Sequence, residues 1–255
     1  YSGTATPTKA GYTFSPLTRD YTDLIADISN EDYTATLGSV NISGTITDGR
    51  AGVENVLISF SNGGGTCTTD ASGAYSHTVD YGYSGTATPA KAGYTFSPLT
   101  RDYSDLIADV SNEDYTATLG SVSISGTITD GRAGVENVLI NFSNDGGTCT
   151  TDASGAYTHN VDYGYSGTAT PTKDGYAFTP ANKNYSNVTS DLINEDYLAH
   201  MLITISGSIS WNGNGLESVK IKFGSSDSCY SIADGSYSIN MLAGWSGTAV
   251  PTKDG

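Results

Sequence analysis

The sequence predicts an all-β protein, a tandem row of antiparallel β-sandwich domains arranged as beads on a string. Three observations lead there. The first is repetition: the string SGTATP follows Tyr1, Tyr83 and Tyr165, and Trp245 opens the variant WSGTAVP, at spacings of 82, 82 and 80 residues. Cys67, Cys149 and Cys229 keep nearly the same step, as do Gly44, Gly126 and Gly207. That period exceeds most solenoid repeats and suits a small domain that folds by itself. The second is period-two alternation of apolar and polar residues, broken by turn residues. The third is composition: 31 Gly, 18 Tyr and 15% charged residues in a chain of 255. A disordered acidic chain lacks such aromatic bulk.

The repeat sets the boundaries. Residues 1–37 match the second half of a copy, 38–119 and 120–201 are complete copies, and 202–255 match the first part of a more divergent one.

Within the first complete copy, Val40, Ile42 and Ile46 alternate with Ser39, Asn41, Ser43, Thr45 and Thr47, and the Asp48-Gly49 pair signals a turn. Val56, Ile58 and Phe60 share one face of the next strand. In the divergent copy Val219, Ile221 and Phe223 alternate with Lys220 and Lys222. The two charges must face water, so the three apolar residues face the core. A Gly-rich turn at Gly63–Gly65 leads to a strand over Thr66–Asp70, and the Ala71-Ser72-Gly73 turn leads to another over Tyr75–Val79. Strands around Ser84–Thr88, Tyr94–Ser97 and Asp114–Thr118 complete the copy. Tyr103–Val110 has room for one irregular helical turn; nothing else has helical periodicity. About seven strands, with turns every 8–12 residues or so, indicate a sandwich.

The succession ISGTITDG, AGVENVLISFSNGG, TTDASGAY and GTATPAKAGYTF resembles the carboxypeptidase regulatory-like, transthyretin-like domains, with kinship to the Cna-B and SdrD B-type repeats of bacterial surface proteins. The segments that carry it best are Gly44–Asp48, Asp70–Tyr75 and Gly93–Phe96, and the likeness runs through all four parts of the chain. It implies a Greek-key, Ig-like or prealbumin-like sandwich. It also implies a non-catalytic stalk or spacer in a large secreted or surface-anchored protein. Many Cna-B domains carry a Lys–Asn isopeptide bond with the Lys on the first strand. The first strands here, Val40–Thr47 and Val122–Thr129, contain no Lys, and Lys91 and Lys173 lie in a later turn, so that bond is not expected.

The chain carries 27 acidic and 11 basic residues, a formal charge of −16. Each complete copy has three basic and nine acidic residues, or −6, while residues 1–37 carry −3 and residues 202–255 carry −1. Acidity therefore belongs to the repeat. It argues against nucleic acid or an anionic bilayer as partner, and no apolar run nears the roughly 18 residues of a membrane span.

Residues with chemical potential are few. His77 and His159 take the place of Ile239 in the divergent copy, which points to packing, and His200 stands alone near a repeat junction. No zinc-protease, nucleophile-elbow or phosphate-loop motif occurs, so an enzyme is not expected and no cofactor is implied. Asp109, Glu113 and Asp114 recur as Asp191, Glu195 and Asp196 and are weak calcium candidates, since calcium gathers about six to eight oxygens. Asp102 and Asp105 become Asn184 and Asn187, which favours turn capping and a solvated acidic face.

One cysteine per copy, always in the same strand, has no partner within its own domain. If Tyr230 and Ile232 point inward, Cys229 points outward, and Cys67 and Cys149 follow by alignment. Cys67, Cys149 and Cys229 would then form a row available for inter-chain cross-links; the alternative is a small residue half-covered at a sheet edge. Tyr1, Tyr83, Tyr165 and Trp245, with Tyr81 and Tyr163, pack the core or offer a face for sugar stacking.

The expected role is structural: the shaft of a bacterial extracellular fibre or large cell-surface adhesin. Its partners would be copies of itself or neighbouring repeats of a longer chain. Two alternatives remain. A carbohydrate- or matrix-binding module would use the aromatic and acidic faces. A self-assembling filament would exchange strands between chains, the tail of one completed by the head of the next.

Overall fold

The computed structural model describes residues 1–253, which fall into two compact units, Tyr1–Gly120 and the described residues from Ser121 onward. The described residues form strands, bridges and turns, and no helix among them is long and apolar enough to cross a membrane.

In the first unit, residues 38–119 form two four-stranded sheets. One runs Tyr94–Ser97, Tyr115–Leu119, Ser39–Thr47, Ala74–Asp80; the other runs Arg101–Leu106, Tyr83–Ala90, Leu57–Phe60, Gly65–Thr68. The alternation read in the sequence sets the inner faces. Val40, Ile42 and Ile46 are buried from one sheet, and Ile58, Phe60, Tyr83 and Ala87 from the other. Burying a Val, Ile or Phe side chain in this way stabilises a fold by roughly 1.5–3 kcal/mol. Preceding this sandwich, Gly3–Ala5 pairs with Arg19–Tyr21 and Tyr12–Ser15 with Thr34–Leu37. These two ladders repeat those of Tyr83–Ala90 with Arg101–Leu106 and of Tyr94–Ser97 with Tyr115–Leu119.

The second unit builds its sandwich from equivalent strands around Ile124, Ile128, Ile140 and Phe142. Its closing strand, Tyr197–Ser208, runs for 12 residues without a break. The strand's first part pairs with Tyr176–Thr179, and its second part with Ser236–Leu242. A single strand thus closes one copy and opens the next. Beyond it, Lys220–Phe223 lies between Asp227–Tyr230 and Ala249–Thr252, with Ile221, Phe223 and Met241 buried.

Two expectations are corrected. Tyr103–Val110 holds no helical turn: Arg101–Leu106 is a strand against Tyr83–Ala90, bulged between Tyr103 and Leu106, and Lys183–Val188 is its counterpart. Arg101 and Tyr103 alternate with the exposed Asp102 and Ser104, and the inward charge disguises the period. Nor is every pairing antiparallel. The last strand of each complete copy lies parallel to the first, with Tyr115 opposite Ile46 and Tyr197 opposite Ile128.

The Asp70–Gly73 turn is the Asx type expected of its sequence. The Asp70 carboxylate accepts the Ser72 amide at 2.8 Å, the Ser72 hydroxyl at 2.7 Å and the Ala74 amide at 3.0 Å. Gly52 lies so close beneath this turn that a Cβ would overlap the Ser72 carbonyl. Gly134 and Ser154 repeat the approach.

Candidate functional site

The acidic segment of each complete copy is a strap across the opening strand. Asp109 accepts the Asn41 amide at 2.8 Å. Val110 then donates to the Asn41 carbonyl (2.9 Å) and accepts from the Ser43 amide (3.0 Å), and the Glu113 amide donates to the Ser43 carbonyl (3.1 Å). Asp114 closes the strap by accepting the Thr45 amide at 2.7 Å and its hydroxyl at 2.9 Å. Asp191 and Asp196 do the same to Ser123 and Thr127.

Glu113 anchors the strap to the second sheet. Its Oε2 accepts from Arg101 at 3.2 Å and from the Tyr103 hydroxyl at 3.1 Å, while its carbonyl accepts the Tyr75 hydroxyl at 2.6 Å. Glu195 is held by Lys183 at 3.0 Å and Tyr185 at 3.1 Å, with Tyr157 on its carbonyl. The Arg101 guanidinium also lies over Tyr115, 5.4 Å from the ring centroid. Burial is the main cause that raises the phenols around Glu113 and Glu195. Tyr115 and Tyr197 are pushed up to about 12, and Tyr75, Tyr103, Tyr157 and Tyr185 move further in the same direction. These hydroxyls stay protonated and donate.

The calcium candidates lie along this strap. Asp109, Glu113, Asp114, Asp191, Glu195 and Asp196 each spend oxygens on a separate amide, hydroxyl or cation, and converge on no common point. Among the described residues no three His, Cys, Asp or Glu side chains gather as metal ligands. The strap fastens backbone to backbone.

The cysteine orientation is also corrected. Cys67, Cys149 and Cys229 are half-buried and pack against the cores, whereas Tyr230 and Ile232 are 58% and 61% exposed. The inward face continues into Thr69, Thr151 and Ser231, all buried. Thr69 Oγ1 donates to the Val53 carbonyl at 2.6 Å and accepts the Val56 amide at 2.9 Å, so a polar residue fits the interior. Burial pushes the Cys67 and Cys149 thiols up to about 11, which suppresses the reactive thiolate. The three thiols are free and half-buried.

The histidines pack. His77 stacks on Phe60 with ring centroids 4.4 Å apart and its Nε2 lies 2.5 Å from the Gly64 carbonyl; His159 repeats this with Phe142 and Gly146. His200 Nε2 lies 3.0 Å from Thr179 Oγ1. Tyr83 and Tyr165 are core residues whose hydroxyls donate to the Ser61 and Ser143 carbonyls, and Trp245 packs edge-on against Phe223. Tyr81 and Tyr163 also pack against the cores, while Tyr1 is exposed. The sequence alone reads Glu113 as part of a turn-capping, solvated acidic face or as a calcium candidate, and misses it as an anchor. The signal for its role was available: a basic residue at Arg19, Arg101 and Lys183 is kept twelve residues before Glu31, Glu113 and Glu195.

Comparison with known proteins places the fold. No family model matches the chain. The structure of the Bacillus anthracis TIE protein superposes with a TM-score of 0.53 at 11% identity, over 89% of this chain and 47% of that one. The two share a fold. A Streptococcal ancillary pilin is a more distant likeness, with a TM-score of 0.32 and 13% identity over 71% of this chain and 69% of the pilin. In sequence, the chitinase ChiA of Flavobacterium johnsoniae is 28% identical over 164 residues, which is 60% of this chain. The chain spans about a tenth of that relative's length (10%) and under half of TIE (47%).

Proposed function

We propose that the chain is a non-catalytic spacer, a run of sandwich repeats within a larger extracellular bacterial protein. The observation that carries the reading is the joint between copies. Thr34–Leu37 and Ser39–Thr47 are separated by one residue, and Tyr197–Ser208 serves two copies with none. Joints this short limit bending. A repeated core that differs little from copy to copy sets a fixed length increment. The likeness to TIE supports the architecture, and the local resemblance to a small part of a chitinase supports a place between other domains of a large protein. Whether that protein ends in a surface fibre, an adhesin or a secreted enzyme, the work of the repeats is to set distance and direction.

Deleting residues 38–119, so that Leu37 runs into Gly120, tests this. The shortened chain should fold, keep the thermal midpoint of the parent, and lose one repeat length in maximum dimension by small-angle scattering. Saturable micromolar binding of the parent chain on a glycan array would overturn the spacer in favour of a binding module.

A further inference from the structure

We propose that Tyr81 is a clamp between adjacent copies that offsets the single-glycine joint at Gly38, and that the divergent copy dispenses with the clamp because it has no such joint.

Gly38 is bonded in both directions. Its amide donates to the Gly11 carbonyl of the preceding copy at 2.7 Å, and its carbonyl accepts the Tyr81 amide of the following one at 2.9 Å. A glycine between two strands has the widest torsional freedom of any residue, so these two bonds alone leave a pivot. The Tyr81 ring closes it. The ring is half-buried against the core of its own copy, and its face lies on the Gly11 backbone. Gly11 sits at φ 76°, and a Cβ there would overlap the ring. A flat side chain fixed in one copy thus rests on a bare backbone in the other.

At the joint inside the second unit the pattern changes as a set. Met201 pairs with Tyr176 as Leu37 pairs with Tyr12, and Leu202 pairs with Leu242 as Ser39 pairs with Asp80. The joining glycine is therefore deleted. Both hydrogen bonds survive, from the Leu202 amide to the Gly175 carbonyl at 2.7 Å and from the Ala243 amide to the Met201 carbonyl at 2.8 Å. Ala243 stands where Tyr81 does, and a Cβ on Gly175 would meet nothing within 4 Å. Pivot and clamp are lost together. Residues 120–201 keep both types in sequence, as Gly120 and Tyr163.

The inference deepens the spacer reading, since it names what stiffens the joint. Amide exchange on the full 255-residue chain tests it. Tyr81→Ala should accelerate exchange at the Gly38 amide and at position 81 at least tenfold, with Ile46 and Ile58 unchanged as reporters of the sandwich. Tyr81→Phe should behave as the parent. Deleting Gly38 in the Tyr81→Ala chain should restore slow exchange at position 81. Should alanine also disturb Ile46, Tyr81→Leu, which keeps the apolar anchor without the flat face, takes its place with the same expectations. Parent-like exchange at Gly38 in either variant, or a deletion that restores nothing, overturns the clamp. These rates report the joint whether or not the chain spaces anything, while scattering reports its reach, so the clamp and the spacer can fail separately.

Discussion

Thr69 shows how one residue type is fixed by two hydrogen bonds. Thr69→Val keeps the shape but orphans the Val53 carbonyl and the Val56 amide, and should cost about 2–3 kcal/mol in urea unfolding. Thr69→Ser should cost less than about 1.5 kcal/mol, the loss of one methyl, because Ser231 already makes both bonds, at 2.6 Å to the Leu216 carbonyl and 3.0 Å from the Val219 amide. A similar internal control exists for Arg101. Lysine should serve there, as Lys183 does, whereas Arg101→Met leaves Glu113 without its cation and should cost about 1–3 kcal/mol. Ionisation sets both limits of the stability range. Hydrogen bonds hold the Asp70 carboxyl below its ordinary 3.8, the Ser72 hydroxyl first and the Ala74 amide next, and the Ala51 and Arg50 amides do so for Asp48. A depressed folded value contributes stability that is present above the ordinary value and drains as pH falls through the folded one. Tyr75, Tyr103 and Tyr115 are raised from 10.0, so their contribution is whole below pH 10 and lost as pH climbs beyond it. Circular dichroism against pH should show an acid and an alkaline fall. A chain as stable at pH 12 as at pH 8 would contradict the buried phenols.

Among the elements, the turn over Gly52 is the least forgiving. Gly52→Ala drives a methyl into the Ser72 carbonyl, where the neighbour is backbone and has little room to yield. A loss of about 1–3 kcal/mol in chemical denaturation is expected; no loss would mean the turn moves freely. Strand existence was largely legible in the sequence because apolar residues at every second position survive comparison between copies. Tyr94–Ser97 matches the element predicted there, and the others shift by one or two residues at their ends. Two things were hidden. Arg101–Leu106 has a charge on its inner face, and its inwardness depends on Glu113, which sits across the sandwich. The strand around Cys229 misled because Tyr230 and Ile232 are the bulkier pair, yet register places Ile221 opposite Cys229 and turns both large side chains outward. Size is a poor guide where a buried serine is held by hydrogen bonds.

For the molecule as a whole, repetition carried more information than any motif. It yielded the copies and the charge of each, and let one copy check another. The acids could be counted from sequence but not assigned, since their partners lie some seventy residues away, as in the pairing of Asn41 with Asp109. A net charge of −16 with a pI near 4.2 places the solubility minimum in the acid range. Light scattering of a pH series should peak near that value and subside on either side. The parallel pairing of first and last strands has a mechanical consequence. Ser39–Thr47 enters each sandwich beside Tyr115–Leu119, which leaves it. Tension applied to the two ends of a copy pulls these neighbours in opposite directions along their own axes. Their hydrogen bonds are then loaded together in shear, where an antiparallel pair pulled from one end would open one bond at a time. A chain so built resists being drawn out.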